Sequence, residues 1–380
     1  MKILLLGQTL CGDGVGTMIF NLYSVLTAAG HSCDVALFTI PDINSQPYKI
    51  LLKNHSQIFK LPRLSHQGPL CFLQEVRRIC RENKYDVIHI HIGLFIWLAA
   101  LAAKVEKVPV RVGHAHGEKF GKWWYSKIFL KIFSLLAKPL NCKYCTTLLT
   151  CSQRSALATF GKNVHLFPNF ILPHQLLTFS ENDIQKKRLE LVSERNAFIC
   201  GYMGALNSLK NVLFLPLIIY ELRRKNIPAY LLIIGGGELE TPLRKQISKL
   251  GLDSYVLLLG KRTDTALLVQ TFDAYLSAST SEGMSMSMLE AQVCGKACFV
   301  SDSIPKASDM GIGLFYQIKG NSPRNWATEI INIINTKKPF LSRSLALEKA
   351  QQNGFSEEKI VKELISLYHL EDKSRVMIGR

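Results

Sequence analysis

The chain has 380 residues, which is enough for two domains of ordinary size. Its 48% hydrophobic and 20% charged content excludes a disordered or collagen-like chain. The net charge of +17 favours anionic partners such as nucleotides, phosphates or acidic lipid headgroups. A nucleic-acid partner is not expected, because no zinc-finger, RRM or helix-turn-helix signature is present.

The first segment of the chain is typical of a strand, a glycine loop and a helix. Residues 2–7 form a continuous apolar run, followed by Gly12, Gly14 and Gly16 and by an amphipathic stretch over 17–29. Further apolar runs, separated by helical patterns at 70–83 and 93–106, lie at 34–39, 87–91, 110–113 and 148–151. This alternation predicts a doubly wound α/β domain.

The same pattern restarts after a polar segment at 178–196, which is interpreted as a linker. Buried strands are predicted at 198–203, 230–235, 255–259, 274–277 and 297–301, and helices at 212–225, 242–250 and 288–294. The fold class is therefore α/β, with two tandem Rossmann-like domains facing across a cleft. The boundaries are an N-terminal domain at 1–175, a C-terminal domain at 176–355, and a helix and tail at 356–380 able to pack back on the first domain. A break is expected near Pro339.

The ten cysteines and the lack of long apolar segments predict a cytoplasmic protein. Most cysteines lie in apolar segments, as reduced thiols do. Cys142 and Cys145, with Cys151 nearby, lack a fourth ligand, so no metal site is predicted. The longest apolar stretch, residues 92–103, is short of the ~20 residues that a bilayer span needs, and residues 1–7 do not resemble a secretory signal.

The first domain carries most of the positive charge. Residues 1–172 hold 20 basic and 8 acidic residues, and no acid occurs between Lys119 and Ser180. Lysines alternate with aromatic residues over Lys119–Lys138: Lys119, Lys122, Lys127, Lys131 and Lys138 with Phe120, Trp123, Trp124, Tyr125, Phe129 and Phe133. Such a segment suits an anionic membrane surface, which would place the protein peripherally at the inner face of the cell membrane. It equally suits a helix packed on the sheet with its lysines reaching water.

The segment from Ser279 to Gly295 is the richest in candidate chemistry. A loop holding Glu282 runs into a helix that is expected to begin near Ser285 or Met286 and to carry Glu290 in its second turn. The free amides of a helix start, with the positive end of its dipole, can bind a diphosphate. A carboxylate one or two turns further on can accept both hydroxyls of a ribose.

Glu282 and Glu290 are separated by seven residues, and this E-x7-E resembles the signature of the retaining glycosyltransferases of family 4. Four further segments fall where that family has its strands and turns: Asp86–His91, Arg111–Gly117, Val164–Asn169 and Leu232–Glu238. Residues 289–302 are similar to the capsule and exopolysaccharide branch. The resemblance implies the GT-B fold, with the nucleotide-sugar donor held mainly by the second domain.

The resemblance also implies roles for single residues. Glu290 would bind the ribose diol, Glu282 the hydroxyls of the transferred sugar, and Lys210 the diphosphate leaving group. His116 would reach the sugar from the first domain, where His114 is interpreted as structural, and Gly14 would allow a close backbone approach. The catalytic set is thus His116, Lys210 and Glu282. The donor-binding set is Gly14, Lys210, Arg262, Glu282, Gly283, Met284, Ser285, Met286 and Glu290.

The sequence departs from the family at the turn after the first strand of the second domain. Members usually carry Gly-Arg five residues before the lysine, and that arginine also holds the diphosphate, whereas this chain has Gly204 and Ala205. Alanine cannot replace a fork-shaped donor. Arg262 is a candidate substitute. Gly16 stands where the capsule branch often has Glu.

The implied function is metal-independent, retaining transfer of a hexose or N-acetylhexosamine, with no cofactor. The donor would be a nucleotide-diphosphate sugar, with UDP favoured over GDP. The acceptor would be a glycan, with a lipid-linked one favoured, in bacterial capsule, exopolysaccharide or other surface polysaccharide synthesis. The alternatives are a catalytically impaired GT-B homologue acting as a binding or scaffold protein, and a GT-B sugar-nucleotide epimerase. An NAD(P) enzyme is disfavoured, because Gly12-x-Gly14-x-Gly16 is not G-x-G-x-x-G.

Overall fold

A computed structural model describes residues 1–10, 12–117, 127–337 and 341–376. The chain divides into two compact units, one of Met1–Phe170 with Glu357–Arg380 and one of Ile171–Ser356. Each unit has its own parallel sheet, so the prediction of two Rossmann-like α/β domains is confirmed. No helix in the described part of the chain is both long enough and apolar enough to cross a membrane.

The strands are short and regular. They are β1 Lys2–Gly7, β2 Ser32–Leu37, β3 Ile58–Lys60, β4 Val87–Ile90, β5 Val110–Ala115, β6 Thr147–Thr150, β7 His165–Leu166, β8 Phe198–Met203, β9 Ala229–Ile234, β10 Val256–Gly260, β11 Ala274–Ser277, β12 Ala297–Ser301 and β13 Phe315–Ile318.

The helices alternate with these strands. They are α1 Gly14–Ala28, α2 Gln46–Lys53, α3 Gly68–Asn83, α4 Ile96–Val105, α5 Lys127–Tyr144, α6 Gln153–Thr159, α7 Pro173–Leu176, α8 Glu181–Leu191, α9 Leu215–Arg224, α10 Glu240–Lys249, α11 Thr265–Leu268, α12 Met286–Val293, α13 Pro323–Lys337, α14 Arg343–Gln352 and α15 Glu357–Val376.

The first unit is built on a seven-stranded sheet of order β3-β2-β1-β4-β5-β6-β7, in which every described pairing is parallel. The apolar run of β1 is buried, as expected for a strand covered on both faces. Helix α1 begins at Gly14 because the Asp13 side chain accepts a hydrogen bond from the Gly16 N–H at 2.7 Å. Helix α15 returns to this unit from the end of the chain, and its Tyr368 is buried there.

The second unit is built on a six-stranded parallel sheet of order β10-β9-β8-β11-β12-β13. The strand order reverses at β8, which pairs with β9 on one side and β11 on the other. Ligands of such sheets bind outside the carboxyl ends of the strands at this reversal. The loops after β8 and β11 hold the candidate donor-binding residues.

A glycine is required beside the first of these loops. Gly235 has a φ of 139°, and a Cβ there would lie 1.9 Å from the carbonyl oxygen of Gly204. The turn after β9 therefore packs backbone against backbone on the turn that holds Ala205, and the Leu206 N–H donates to the Gly236 carbonyl at 3.1 Å.

The interpretation of residues 178–196 as a linker is wrong over most of its length, because α8 occupies Glu181–Leu191. Ser180 and Asp183 form a capping box, in which each side chain satisfies the other residue's backbone N–H. A polar surface helix has little apolar periodicity, so its composition resembles that of a loop. The break expected near Pro339 lies outside the described residues.

Candidate functional site

The candidate donor site begins with an ion pair between two loops of the second unit. Lys210 Nζ lies 2.6 Å from Glu282 Oε1, although 72 residues separate them in the chain. The two side chains are 27% and 10% exposed, so the pair is sheltered yet reachable. It places a compact cation and a carboxylate at the carboxyl ends of β8 and β11.

Hydrogen bonds fix the conformation of the loop after β8, which carries Lys210. Residues 208–210 form a single 3-10 turn, which begins where the Asn207 side chain accepts a hydrogen bond from the Lys210 N–H at 3.0 Å. The Thr280 N–H donates to the Leu209 carbonyl at 2.8 Å, tying this loop to the loop that holds Glu282. The ion pair therefore rests on a backbone that is already fixed.

Helix α12 begins at Met286, as expected, with Ser285 in extended conformation before it. The Ser285 side chain does not cap the helix; its hydroxyl lies 3.1 Å from that of Ser287. Ser287 in turn donates to the Met203 carbonyl at 2.9 Å and lies 2.8 Å from the Tyr275 hydroxyl, which anchors the helix start at the end of β8. A helix start that its N-cap side chain leaves open can bind an anion.

Glu290 lies in the second turn of α12 and is half-buried. Its surroundings raise the pKa of the carboxyl to about 7, because burial disfavours the charged form. Within the described residues, its carboxylate has neither a hydrogen bond nor an ion pair. A desolvated carboxylate without a protein partner is suited to accept two hydroxyls from a ligand.

Three other members of the expected donor-binding set offer only backbone. Gly283 lies in the loop between Glu282 and α12, whereas the Met284 and Met286 side chains are buried. Their side chains therefore belong to the protein interior, and their peptide groups are what a ligand could contact.

Ala205 is exposed, and its turn is held by the Tyr202 hydroxyl, which donates to the Ala205 carbonyl at 3.0 Å. Arg262 is exposed and forks onto Asp264 through Nε and Nη2 at 2.7 and 2.6 Å. Its fork is thus engaged by a carboxylate two residues away. Lys261, which the sequence analysis did not single out, lies against Gly236, next to the Ala205 turn.

The first unit holds the other two expected site residues. Gly14 is the exposed first residue of α1. His116 follows β5, and its Nε2 lies 2.7 Å from Nδ1 of His91. Burial lowers the pKa of His116 to about 4, so its ring is neutral at pH 7.

A cavity of about 520 Å³ lies within this unit beside the histidines. Its walls include His91, His114 and His116 together with apolar residues such as Phe38 and Phe95. The cavity gives the His116 side of the unit room for a ligand of moderate size.

Several supporting residues were missed by the sequence analysis. Asn207, Tyr275 and Ser287 position the loops after β8 and β11, which form the candidate donor site. His91 forms a hydrogen bond with His116. Of these residues, only the histidines form a recognisable sequence pattern. Two His-x-His pairs, His89 with His91 and His114 with His116, lie at the ends of the successive strands β4 and β5.

Comparisons with known proteins agree with this geometry. Residues 12–174 match the model of Glycosyltransferase Family 4, and residues 183–353 match that of Glycosyl transferases group 1. The chain is 28% identical over 371 residues to EpsF of Bacillus subtilis (strain 168), whose name places it among the glycosyltransferases, covering 94% of this chain and 93% of EpsF. It is 29% identical over 238 residues to the UDP-Gal:alpha-D-GlcNAc-diphosphoundecaprenol alpha-1,3-galactosyltransferase of Escherichia coli, covering 59% and 60% of the two chains.

Among solved structures, Anabaena HepE in complex with UDP and glucose superposes with a TM-score of 0.76. That match is 22% identical and covers 96% of this chain and 98% of HepE, so it shows the shared fold. The two parallel sheets, the two matching family models and these relatives lead to one conclusion: the chain is a GT-B glycosyltransferase of the family 4 type.

Proposed function

We propose that the chain transfers a hexose or N-acetylhexosamine from a nucleotide-diphosphate sugar to a glycan acceptor with retention of configuration. The observation that carries the proposal is the grouping of Lys210, Glu282 and Glu290 around an open helix start at the strand-order reversal of the second sheet. In this proposal Glu290 binds the ribose diol, Lys210 and the helix start bind the diphosphate, and Glu282 binds the hydroxyls of the sugar.

In this proposal positive groups of the protein balance the negative charge of the diphosphate. The Lys210 ammonium and the start of α12 face the leaving oxygens, and their effect grows as negative charge develops there. The bond between the anomeric carbon and the diphosphate oxygen breaks, and the bond to the acceptor oxygen forms on the same face of the sugar. The acceptor hydroxyl's proton passes to the departing diphosphate oxygen, so neither a catalytic base nor a metal at the diphosphate is needed.

The proposed donor is a UDP sugar. Two similarities support this choice: the Escherichia coli relative is named for UDP-Gal, and HepE was solved with UDP and with UDP-glucose. The same relative is named for an acceptor on diphosphoundecaprenol, which supports a lipid-linked glycan here. The relatedness to EpsF supports a role in exopolysaccharide synthesis.

A lipid-linked acceptor requires the enzyme to work at a membrane, and α5 has a face suited to this. Ile132, Leu135, Leu136 and Pro139 are exposed at helical spacing, the first three with 55%, 66% and 63% of their surface in contact with solvent. The opposite face of α5 is buried through Ala137 and Asn141. Lys119 and Lys122 lie outside the described residues, and the side chains of Lys127 and Lys131 are not described.

We expect this apolar stripe to bind vesicles that contain anionic lipid. An apolar helix face beside a basic segment gains both hydrophobic and electrostatic free energy at such a surface. The double variant L135E/L136E should lose most cosedimentation with vesicles of phosphatidylglycerol and phosphatidylcholine at low salt. The matched control is Leu189→Glu, which alters an exposed leucine of α8 in the second unit. Equal binding by both variants, or no binding by the wild type, would exclude α5 as the membrane contact.

Thermal unfolding with a panel of nucleotide sugars tests the proposed function. One UDP sugar should raise Tm by several degrees, since ligand at a hundredfold excess over Kd stabilises by about 2.7 kcal/mol. Ala205→Arg should enlarge this shift, because position 205 is exposed and the new guanidinium can reach a diphosphate without repacking the core. Transfer to a lipid-linked acceptor is then followed by mass spectrometry.

Ala205 also favours a second candidate, a chain that binds donor without transferring sugar. Binding of a UDP sugar without any transfer product would support that candidate, and conversion of the free nucleotide sugar into its epimer would support an epimerase. The absence of a shift with every nucleotide sugar would contradict donor binding itself.

A further inference from the structure

Four histidines of the first unit form one stack at the carboxyl ends of β4 and β5. His89 and His91 come from one strand end, and His114 and His116 from the next. The ring centroids of His89 and His91 are 4.5 Å apart, and those of His114 and His116 are 4.1 Å apart. His89, His91 and His114 are buried, and one ring nitrogen of each lies within 4.8 Å of those of the other two.

Two of these three rings have a hydrogen-bond partner on their outer side. Nδ1 of His89 lies 2.8 Å from the Tyr368 hydroxyl of α15, and Nδ1 of His91 lies 2.7 Å from Nε2 of His116. The His114 ring has only a weak polar contact with the Phe167 backbone, and its Nε2 makes no hydrogen bond within the described residues. Metal-binding histidines usually donate their second N–H to such a partner, which fixes the tautomer and the ring orientation.

Of the three inner nitrogens, Nε2 of His89 and Nδ1 of His114 hydrogen-bond to each other, and the third, on His91, has no partner among the described residues. Nε2 of His91 is fully buried and has no hydrogen bond among the described residues. A buried polar atom without a partner is destabilising, because it has lost its hydrogen bonds to water without replacement. Nε2 of His89 and Nδ1 of His114 are 3.2 Å apart. Two imidazole nitrogens on one tetrahedral Zn²⁺, at about 2.0–2.1 Å each, are separated by roughly 3.3 Å.

We propose that His89, His91 and His114 bind one divalent transition-metal ion of the zinc class. The adjoining cavity, whose walls include His91 and His114, gives the ion an entry route and room for a water as fourth ligand. Tyr368 orients His89 from α15, so the site also ties the last helix to the first unit. The site lies in the first unit, whereas the proposed diphosphate-binding residues belong to the second, and it does not depend on the proposed function.

The test measures metal binding directly on the full chain, prepared without a histidine tag. We expect about one equivalent of zinc by elemental analysis after dialysis. Co²⁺ added to the metal-depleted chain should produce the visible absorption of tetrahedral cobalt with nitrogen ligands. His91→Gln should weaken Co²⁺ binding at least tenfold, while His165→Gln, which alters an exposed histidine of the same unit, should leave it unchanged.

Tyr368→Phe provides the second variant, since it removes one hydroxyl and none of the three ligands. Loss of such a partner typically costs ten- to a hundredfold in metal affinity. A folded wild-type chain that retains less than about a tenth of an equivalent and gives no cobalt absorption would overturn the proposal. Equal Co²⁺ affinity in wild type, His91→Gln and Tyr368→Phe would also overturn it, by assigning the metal to another place.

Discussion

Replacing Lys210 with alanine should lower kcat about 10²- to 10³-fold, with a smaller effect on KM for the donor. The ammonium lies beside Glu282 in the ground state and acts most strongly on the charge that develops on the departing diphosphate. Initial rates against donor concentration give both parameters. Lys225→Ala, at an exposed position just after α9, is the matched control and should keep wild-type rates.

A second variant separates this role from a structural one. Lys210→Ala leaves the 10%-exposed Glu282 carboxylate without its cation, which lowers stability. In the double variant K210A/E282Q the unpaired charge is removed, so Tm should recover while kcat stays well below that of the single variant E282Q, which keeps Lys210. Recovery of kcat together with Tm would show that Lys210 serves only the ion pair.

Donor affinity should fall about tenfold as the pH is lowered from 8 to 6. Burial raises the pKa of Glu290 to about 7, so most of the carboxyl is ionised at pH 8 and most is protonated at pH 6. In a protonated carboxyl one oxygen carries the hydrogen and acts as a donor, so the two oxygens can no longer each accept a hydrogen bond from a ribose hydroxyl. Glu290→Gln should bind the donor about a hundredfold more weakly at pH 8 and show little pH dependence, as measured by calorimetry with a UDP sugar, whose diphosphate does not titrate between pH 6 and 8.

The raised pKa of Glu290 also predicts how the free energy of unfolding changes with pH. The pKa of Glu290 is higher in the folded chain than in the unfolded chain, where a Glu titrates near 4.5. The folded state therefore holds the proton more tightly, and this contribution to the free energy of unfolding is lost as the pH rises through about 7. Glu290→Gln should gain up to about 3 kcal/mol over wild type at pH 8 and less than about 1 kcal/mol at pH 5.

Thermal unfolding of both proteins at the two pH values checks this result. If the substitution lowers Tm equally at pH 5 and pH 8, Glu290 makes a favourable contact in the folded chain and is not poised for a ligand. A wild-type affinity for the UDP sugar that stays constant from pH 8 to pH 6 would separately contradict the assignment of Glu290 to the ribose.

The sequence by itself determined the two-domain α/β fold and the position of the candidate donor-binding loop that carries Glu282. Continuous apolar runs such as residues 2–7 are expected only of strands buried on both faces, and their alternation with helical periods requires parallel sheets. The start of α12 at Met286, with Glu290 in the second turn, also followed from local pattern. These features depend on neighbours in the chain, and the sequence contains them directly.

Only the tertiary structure decided which side chains meet. Lys210 and Glu282 are paired because β8 and β11 are adjacent in the second sheet, and Tyr368 reaches His89 across 279 residues because α15 returns to the first unit. Arg262, the candidate substitute for the family arginine, has its guanidinium fork occupied by the Asp264 carboxylate. Periodicity reports which face of an element is buried, but strand order and loop conformation, set by packing of the whole domain, determine which polar groups come within hydrogen-bond distance.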